Sequence, residues 1–283
     1  MAGKLPRSSE SRKTDGTLKE NKRESKNVIG VFGEMQPSDI HPVDIYGYLS
    51  ERELAGAPIK ANKEVALLSA VLEYGRRLGW LETNPCGGIK YNKSKPNQKY
   101  VEEAELNLIM KTARERGDSY LVVALCLRAA YLTVSRPDEM RAVARQNISA
   151  SGVQMPIGKR RAGQMQRMKL IEWSPALKSV MDEALALQRT PSMYVFGNTT
   201  GQVYTTSGFN TILRRLMKYS ATKAAESGAT FNRFTLKDMR PSAVMDRLED
   251  GDQRVTDATG HADDRMVKKV YDRRKTKVAK ATK

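Results

Sequence analysis

Residues 118–139 read DSYLVVALCLRAAYLTVSRPDE, and this stretch decides the fold. Tyr120–Val134 is an apolar run interrupted by Arg128. It is too short to cross a bilayer, which takes about 20 apolar residues. The run predicts a helix over Asp118–Leu132 with Cys126 packed in the core. Ser135-Arg136-Pro137-Asp138 then opens another helix, with Ser135 as N-cap, proline in the first turn, and acids that match the helix dipole.

Working outward from this stretch, Glu102–Arg116 predicts one more helix. Downstream, Val153–Ile157 and Met168–Trp173 read as the two strands of a hairpin with a basic turn. Ser174-Pro175 opens a helix that turns Leu177, Val180, Met181 and Ala184 inward. Met193–Phe196 reads as a short strand. Thr206–Ser227, Leu236–Asp250 and Met266–Tyr271 read as helices. Upstream, His41-Pro42 opens a helix through Glu53, and Ala57-Pro58 opens another to about Leu78, with Ala61, Val65, Leu68 and Leu72 at helical spacing. Tyr46, Tyr48 and Tyr74 fall at core or partner-facing positions. Residues 1–30 are rich in Ser, Lys, Arg, Glu and Asn and poor in large apolar residues, which predicts a disordered basic segment.

The expected fold class is mainly α with a small antiparallel β-sheet (α+β). A small helical domain is expected over 31–90, a basic linker over 91–100, a second domain over 101–271 and a basic tail over 272–283.

The 283 residues include 49 Lys+Arg against 32 Asp+Glu, a net charge of +17. Such a field attracts polyanions, nucleic acid first and an anionic membrane surface second. The excess is concentrated in three patches. Cys86–Tyr100 carries +4, Met155–Leu170 carries +5 and Arg265–Lys283 carries +8, so the remainder is neutral. Three patches on a neutral scaffold point to a shaped polyanion site.

Two cysteines, Cys86 and Cys126, argue against a disulfide framework. Two histidines, His41 and His261, give no Cys/His cluster for zinc. No GxxxxGK[ST] loop implies ATP. The N-terminus has no apolar signal region. No metal or cofactor is expected, and the expected location is cytoplasmic and nucleoid-associated.

Four pieces occur in order: Leu132-Thr-Val-Ser-Arg136-Pro-Asp-Glu139, Ile157-Gly158-Lys159, Lys237-Asp-Met-Arg240, and Gly260-His261 followed by Tyr271. Together they resemble the tyrosine recombinase (phage integrase) family over residues 38–275. That family carries an R-x-x-E helix start, a hairpin lysine, H-x-x-R, G-H or G-W, and a terminal tyrosine. The resemblance implies a core-DNA-binding domain followed by a catalytic domain.

It also implies a reaction. Without a metal, the protein must itself supply the positive charge that stabilises a phosphoryl-transfer transition state. Arg136 and Arg240 would clasp the non-bridging oxygens through bidentate forks. Tyr271 would attack phosphorus and form a 3′-phosphotyrosine, storing the bond energy so that strands rejoin without ATP. Lys159 would protonate the leaving 5′-oxygen, and His261 would hydrogen-bond the same phosphate. Lys90, Lys93, Lys95 and Lys99 of the linker, with Arg160 and Arg161 of the hairpin, would contact the DNA backbone.

By the same resemblance, double-stranded DNA at attachment sites is the partner. Four protomers would assemble on two sites, with accessory DNA-bending or directionality factors. Integration of a phage or other mobile element is the expected biology. A type IB topoisomerase and a catalytically decayed DNA-binding relative are the alternatives.

Two features depart from the family pattern. Lys237 stands where the family has histidine, and a lysine, with an ordinary pKa of about 10.4, is a poor base near neutrality. The interval from His261 to Tyr271 is one residue longer than the family's usual one. An extra residue rotates a helical side chain by about 100°. The loop Ala262–Arg265 is expected to absorb it.

Overall fold

The computed structural model describes residues 14–93, 99–158, 165–187, 190–261 and 264–272. The chain divides into two compact units, residues 1–96 and 97–283. Among the described residues no helix is long and apolar enough to span a membrane.

The first unit is three helices: α1 (Asp15–Phe32), α2 (Pro42–Leu54) and α3 (Pro58–Arg77). α2 starts as expected, with His41 at the N-cap and Pro42 in the first turn. Ile45, Leu49, Val65, Leu68 and Leu72 form the core, closed by Cys86 and Ile89.

α1 corrects the expectation of disorder over 1–30. Its first turn is capped by Thr14, whose hydroxyl accepts from the Thr17 N–H. Val28 and Phe32, one turn apart, are buried, and the Phe32 ring lies 5.5 Å from that of Tyr48. Polar anchors supply the rest: Lys63 pairs with Glu20 at 2.8 Å, and Asn27 donates to Glu64 at 2.6 Å. A narrow apolar stripe secured by tertiary contacts is enough to fix a helix whose average composition is polar. Residues 1–13 lie outside the described residues.

The second unit is built round α5 (Asp118–Leu132). Leu121–Leu127, Ala129 and Ala130 are all buried, so the helix is apolar on every side. α4 (Glu103–Arg116), α7 (Pro175–Ala186), α8 (Thr206–Glu226) and α9 (Leu236–Glu249) pack against it or against each other. The short helices α6 (Pro137–Arg141), α10 (Val255–Thr259) and α11 (Asp264–Met266) complete the set.

β1 (Gly152–Pro156) and β2 (Met168–Glu172) form the expected antiparallel hairpin, with Met155 opposite Lys169. Two local expectations change. Met193–Phe196 is not a strand; Tyr194 makes only an isolated bridge to Ala144. The N-cap of α6 is Arg136 rather than Ser135, and Glu139 accepts from the Arg136 backbone N–H at 2.9 Å. The N-cap shifts by one residue because Pro137 occupies the first helical position.

Candidate active site

The C-terminus of α5 ends in an unusual turn. Val134 has φ of 53°, and it is the only non-glycine residue among those described with positive φ. A β-branched residue in that region is strained and persists only where its surroundings hold it. Here its carbonyl accepts from Arg240 Nη1 at 2.8 Å.

Arg240 lies on α9 and is 3% exposed. Its Nη2 donates to Thr259 O at 2.6 Å, and its Nε donates to the Tyr271 hydroxyl at 3.3 Å. Burial lowers its pKa from the ordinary arginine value, a shift opposed by Tyr271 and reinforced by Arg136. Each terminal nitrogen thus gives one of its two N–H groups to fixing the guanidinium, and Nε faces the tyrosine.

Arg136 stands at the start of α6, partly exposed. Its Nη1 pairs with Glu139 at 2.7 Å. The R-x-x-E spacing thus does two things: Glu139 caps the helix and holds the arginine side chain. Arg136, Lys237, Arg240 and Tyr271 line one cleft of about 1040 Å³, together with Gly158 at the end of the hairpin strand. Lys237 is exposed at the start of α9.

His261 follows Gly260, which caps α10 with φ of 70°. A Cβ on Gly260 would come 3.0 Å from Ile157 at the base of the hairpin, so both its backbone angle and its surroundings call for glycine. His261 is thereby placed with its ring 5.6 Å from that of Tyr271.

Tyr271 ends a single wide turn, Val267–Tyr271, with the π-type bond from Asp272 N–H to Val267 O at 2.9 Å. A π turn accommodates one residue more than an α turn, and such turns occur often at functional sites. The turn therefore holds one residue more than an α turn immediately before the tyrosine; of the loop expected to absorb the longer interval, Ala262 and Asp263 lie outside the described residues. Val267 anchors the turn in a small apolar cluster with Val134, Val244 and Val255, against which Tyr271 packs.

Arg136, Arg240, Lys237, His261 and Tyr271 therefore converge. Lys159, Arg160, Arg161 and Lys95 lie outside the described residues, as does the tail after Asp272. Lys90 and Lys93 are exposed in the first unit, where the Lys90 N–H donates to the exposed Tyr46 hydroxyl at 3.2 Å. Lys99 is partly buried in the second unit. Tyr48, by contrast, is a core residue whose hydroxyl donates to Glu64 at 2.7 Å.

The sequence reading missed Lys169. It is 8% exposed, and burial lowers its ammonium to about 7, with a further push down from Arg240. The signal was obscured by the strand's pattern. Leu170, at 47% exposure, takes the outer face that alternation would give to lysine.

A mostly helical domain that gathers Arg136, Arg240 and Tyr271 at one cleft has the architecture of the tyrosine recombinases. The chain belongs to the phage integrase family, whose model matches residues 99–277. No curated protein matches the sequence. Among solved structures, the chain is similar to a lambda integrase dimer bound to a COC′ core site, with a TM-score of 0.76 at 17% identity, covering 96% of this chain and 94% of that one. It is also similar to a lambda integrase tetramer bound to a Holliday junction (TM-score 0.73, 16% identity, 95% and 75% covered). A third is the Tn1549 transposon integrase in complex with circular intermediate DNA (TM-score 0.75, 13% identity, 98% and 92% covered).

Proposed function

We propose that the protein is a site-specific DNA recombinase, an integrase that cuts and rejoins strands through a 3′-phosphotyrosyl intermediate at Tyr271. The observation that carries this reading is the buried Arg240, fixed by two backbone carbonyls and donating to the Tyr271 hydroxyl at 3.3 Å. A fixed cation beside the nucleophile favours the phenolate and then the trigonal-bipyramidal phosphorane. Preorganised donors of this kind are worth about 3–4 kcal/mol each.

In the proposed reaction the Tyr271 oxygen bonds to phosphorus and the P–O5′ bond breaks. Arg240 and Arg136 neutralise the non-bridging oxygens. His261, with its ring beside that of Tyr271, takes the phenolic proton, with Lys237 at the rim of the cleft donating to the phosphate. Lys159, next in sequence to Gly158 of the cleft, gives a proton to the leaving 5′-oxygen. The reverse sequence with a new 5′-hydroxyl joins the exchanged strand. No nucleotide is consumed, because the phosphotyrosine bond retains the energy of the one it replaced.

The first unit would bind the core DNA site and the second would cleave, with Lys90, Lys93, Lys95, Lys99, Arg160 and Arg161 on the phosphate backbone. Four protomers on two sites would complete a round. A decayed, binding-only relative would have no use for a buried arginine donating to a tyrosine beside a second, partly exposed arginine in the same cleft, which favours the enzyme. The test is a suicide substrate: the protein's own attachment site, nicked beside the scissile phosphate. An SDS-resistant protein–DNA adduct is expected with the wild type and none with Tyr271→Phe. A wild type that forms no adduct refutes the reading.

A further inference from the structure

β2 buries its lysine and exposes its apolar neighbours. Met168 and Leu170 face outward while Lys169 between them is buried. Removing an ammonium from water costs several kcal/mol unless it finds partners. Lys169 donates to two backbone carbonyls, Thr133 O at 3.1 Å and Ala258 O. Arg240 donates to the next carbonyl along in each case, Val134 O and Thr259 O.

Two cations thus hold two pairs of consecutive carbonyls. One pair lies at the C-terminus of α5 and leads through Ser135 to Arg136. The other lies at the end of α10 and leads through Gly260 to His261. Helix C-terminal carbonyls carry partial negative charge, so cations are the fitting partners. Of the two cations, only Lys169 comes from the hairpin.

We propose that Lys169 is a positioning residue for strand cleavage: it ties the hairpin strand to both loops and so keeps Arg136 and His261 in register with Arg240. The consequence for cleavage rests on the recombinase reading; the tie itself does not. Charged groups reach Lys169 from each element packed around it. Arg240 and Arg247 on α9 and Arg136 act against its charge, and Glu139 on α6 supports it. Asp257 of α10 lines the same side of the hairpin, and β1, Gly152–Pro156, carries no titratable side chain. Glu172 of the same strand, Arg167 before it, Asp252, Arg254 and His261 line that side too; burial first, and Arg240 after it, bring the ammonium down to about 7.

Lys169→Met keeps the stem and removes the donors. Because the change leaves the Thr133 and Ala258 carbonyls without this donor, circular dichroism and chemical denaturation first establish that the variant is folded. In the free protein, amide hydrogen exchange at residues 133–136 and 258–261 is expected to rise about tenfold, the loss of one hydrogen bond. Unchanged exchange there overturns the tie, whether or not the protein cleaves DNA. In wild type the same amides should lose part of their protection as pH rises through 7, beyond the intrinsic acceleration, because a neutral amine keeps two N–H donors but forms weaker bonds than the ammonium. In single-turnover cleavage of the nicked substrate, Lys169→Met should be slower by up to about 10²-fold below pH 7 with DNA affinity unchanged. The gap should narrow at higher pH, where the wild type's own ammonium is lost. A gap independent of pH, or none, contradicts the role in cleavage. Absence of adduct from the wild type instead refutes the recombinase reading and leaves the exchange result to decide the tie.

Discussion

Each unit buries charge, and the two do so in opposite ways. In the first, Glu64 is 2% exposed, and its carboxylate accepts from Arg52 at 3.0 Å through two nitrogens, from Tyr48 at 2.7 Å and from Asn27 at 2.6 Å. Every lone-pair direction is used and the charge is neutralised on the spot. In the second, Arg240 and Lys169 are buried among backbone carbonyls, and among the described residues neither forms an ion pair with a carboxylate. The closed network secures a fold. The open one leaves its charge unpaired by carboxylates among the described residues, and Tyr271 stands at its edge. The difference separates a closed ion cluster from an open one on geometry alone.

The largest expected effect breaks the closed network. Glu64→Gln leaves the partly buried Arg52 without its counter-charge and should lower the stability of the first unit by about 3 kcal/mol, read by chemical denaturation. The pH dependence carries the same sign. Burial would raise the Glu64 carboxyl, but the hydrogen bonds from Arg52, Asn27 and Tyr48 outweigh it, and the net shift is downward. A carboxyl lowered in the folded state adds stability above its ordinary value and loses it as pH falls through the lowered one. Wild type should therefore lose stability in that acid range, while Glu64→Gln shows a flatter profile. Equal profiles would contradict the assignment.

Arg240→Met should do the reverse. Cleavage is expected to fall by about 10²–10³-fold, the effect of removing one preorganised donor. Stability should change far less than in Glu64→Gln, because relief of desolvation offsets the hydrogen bonds lost at Val134 and Thr259. A stability loss as large as that of Glu64→Gln would make Arg240 a structural cation and erase the contrast.

The smallest effect concerns Lys237. It lies exposed at the mouth of the cleft, so Lys237→His should keep or raise the cleavage rate, within a few-fold. Complete loss would show that this position does not correspond to the family's histidine.

Much of this was legible in the sequence because the signals were local. Helix starts at Pro42, Pro58 and Pro175 are set by proline and the residue before it, and the apolar run of α5 announces a central helix. The order of Arg136, Arg240, His261 and Tyr271 nominated residues that the structure places near one another. What escaped depends on partners distant in sequence. α1 holds through Phe32 on Tyr48 and Asn27 on Glu64, none of which its own composition reveals. Lys169 entered only as one charge of the basic stretch Met155–Leu170, because alternation gives a face and not a partner. The π turn before Tyr271 is a backbone choice made by the packing of Val267, which no spacing rule foresees.

The central claim is that the open cation cluster exists to serve Tyr271. Digesting the trapped protein–DNA adduct with protease and nuclease, then mapping the modified peptide by mass spectrometry, tests it most directly. The account predicts a nucleotide remnant on Tyr271 through its phenolic oxygen. A remnant on any other residue, or no modified peptide from an active protein, would contradict it.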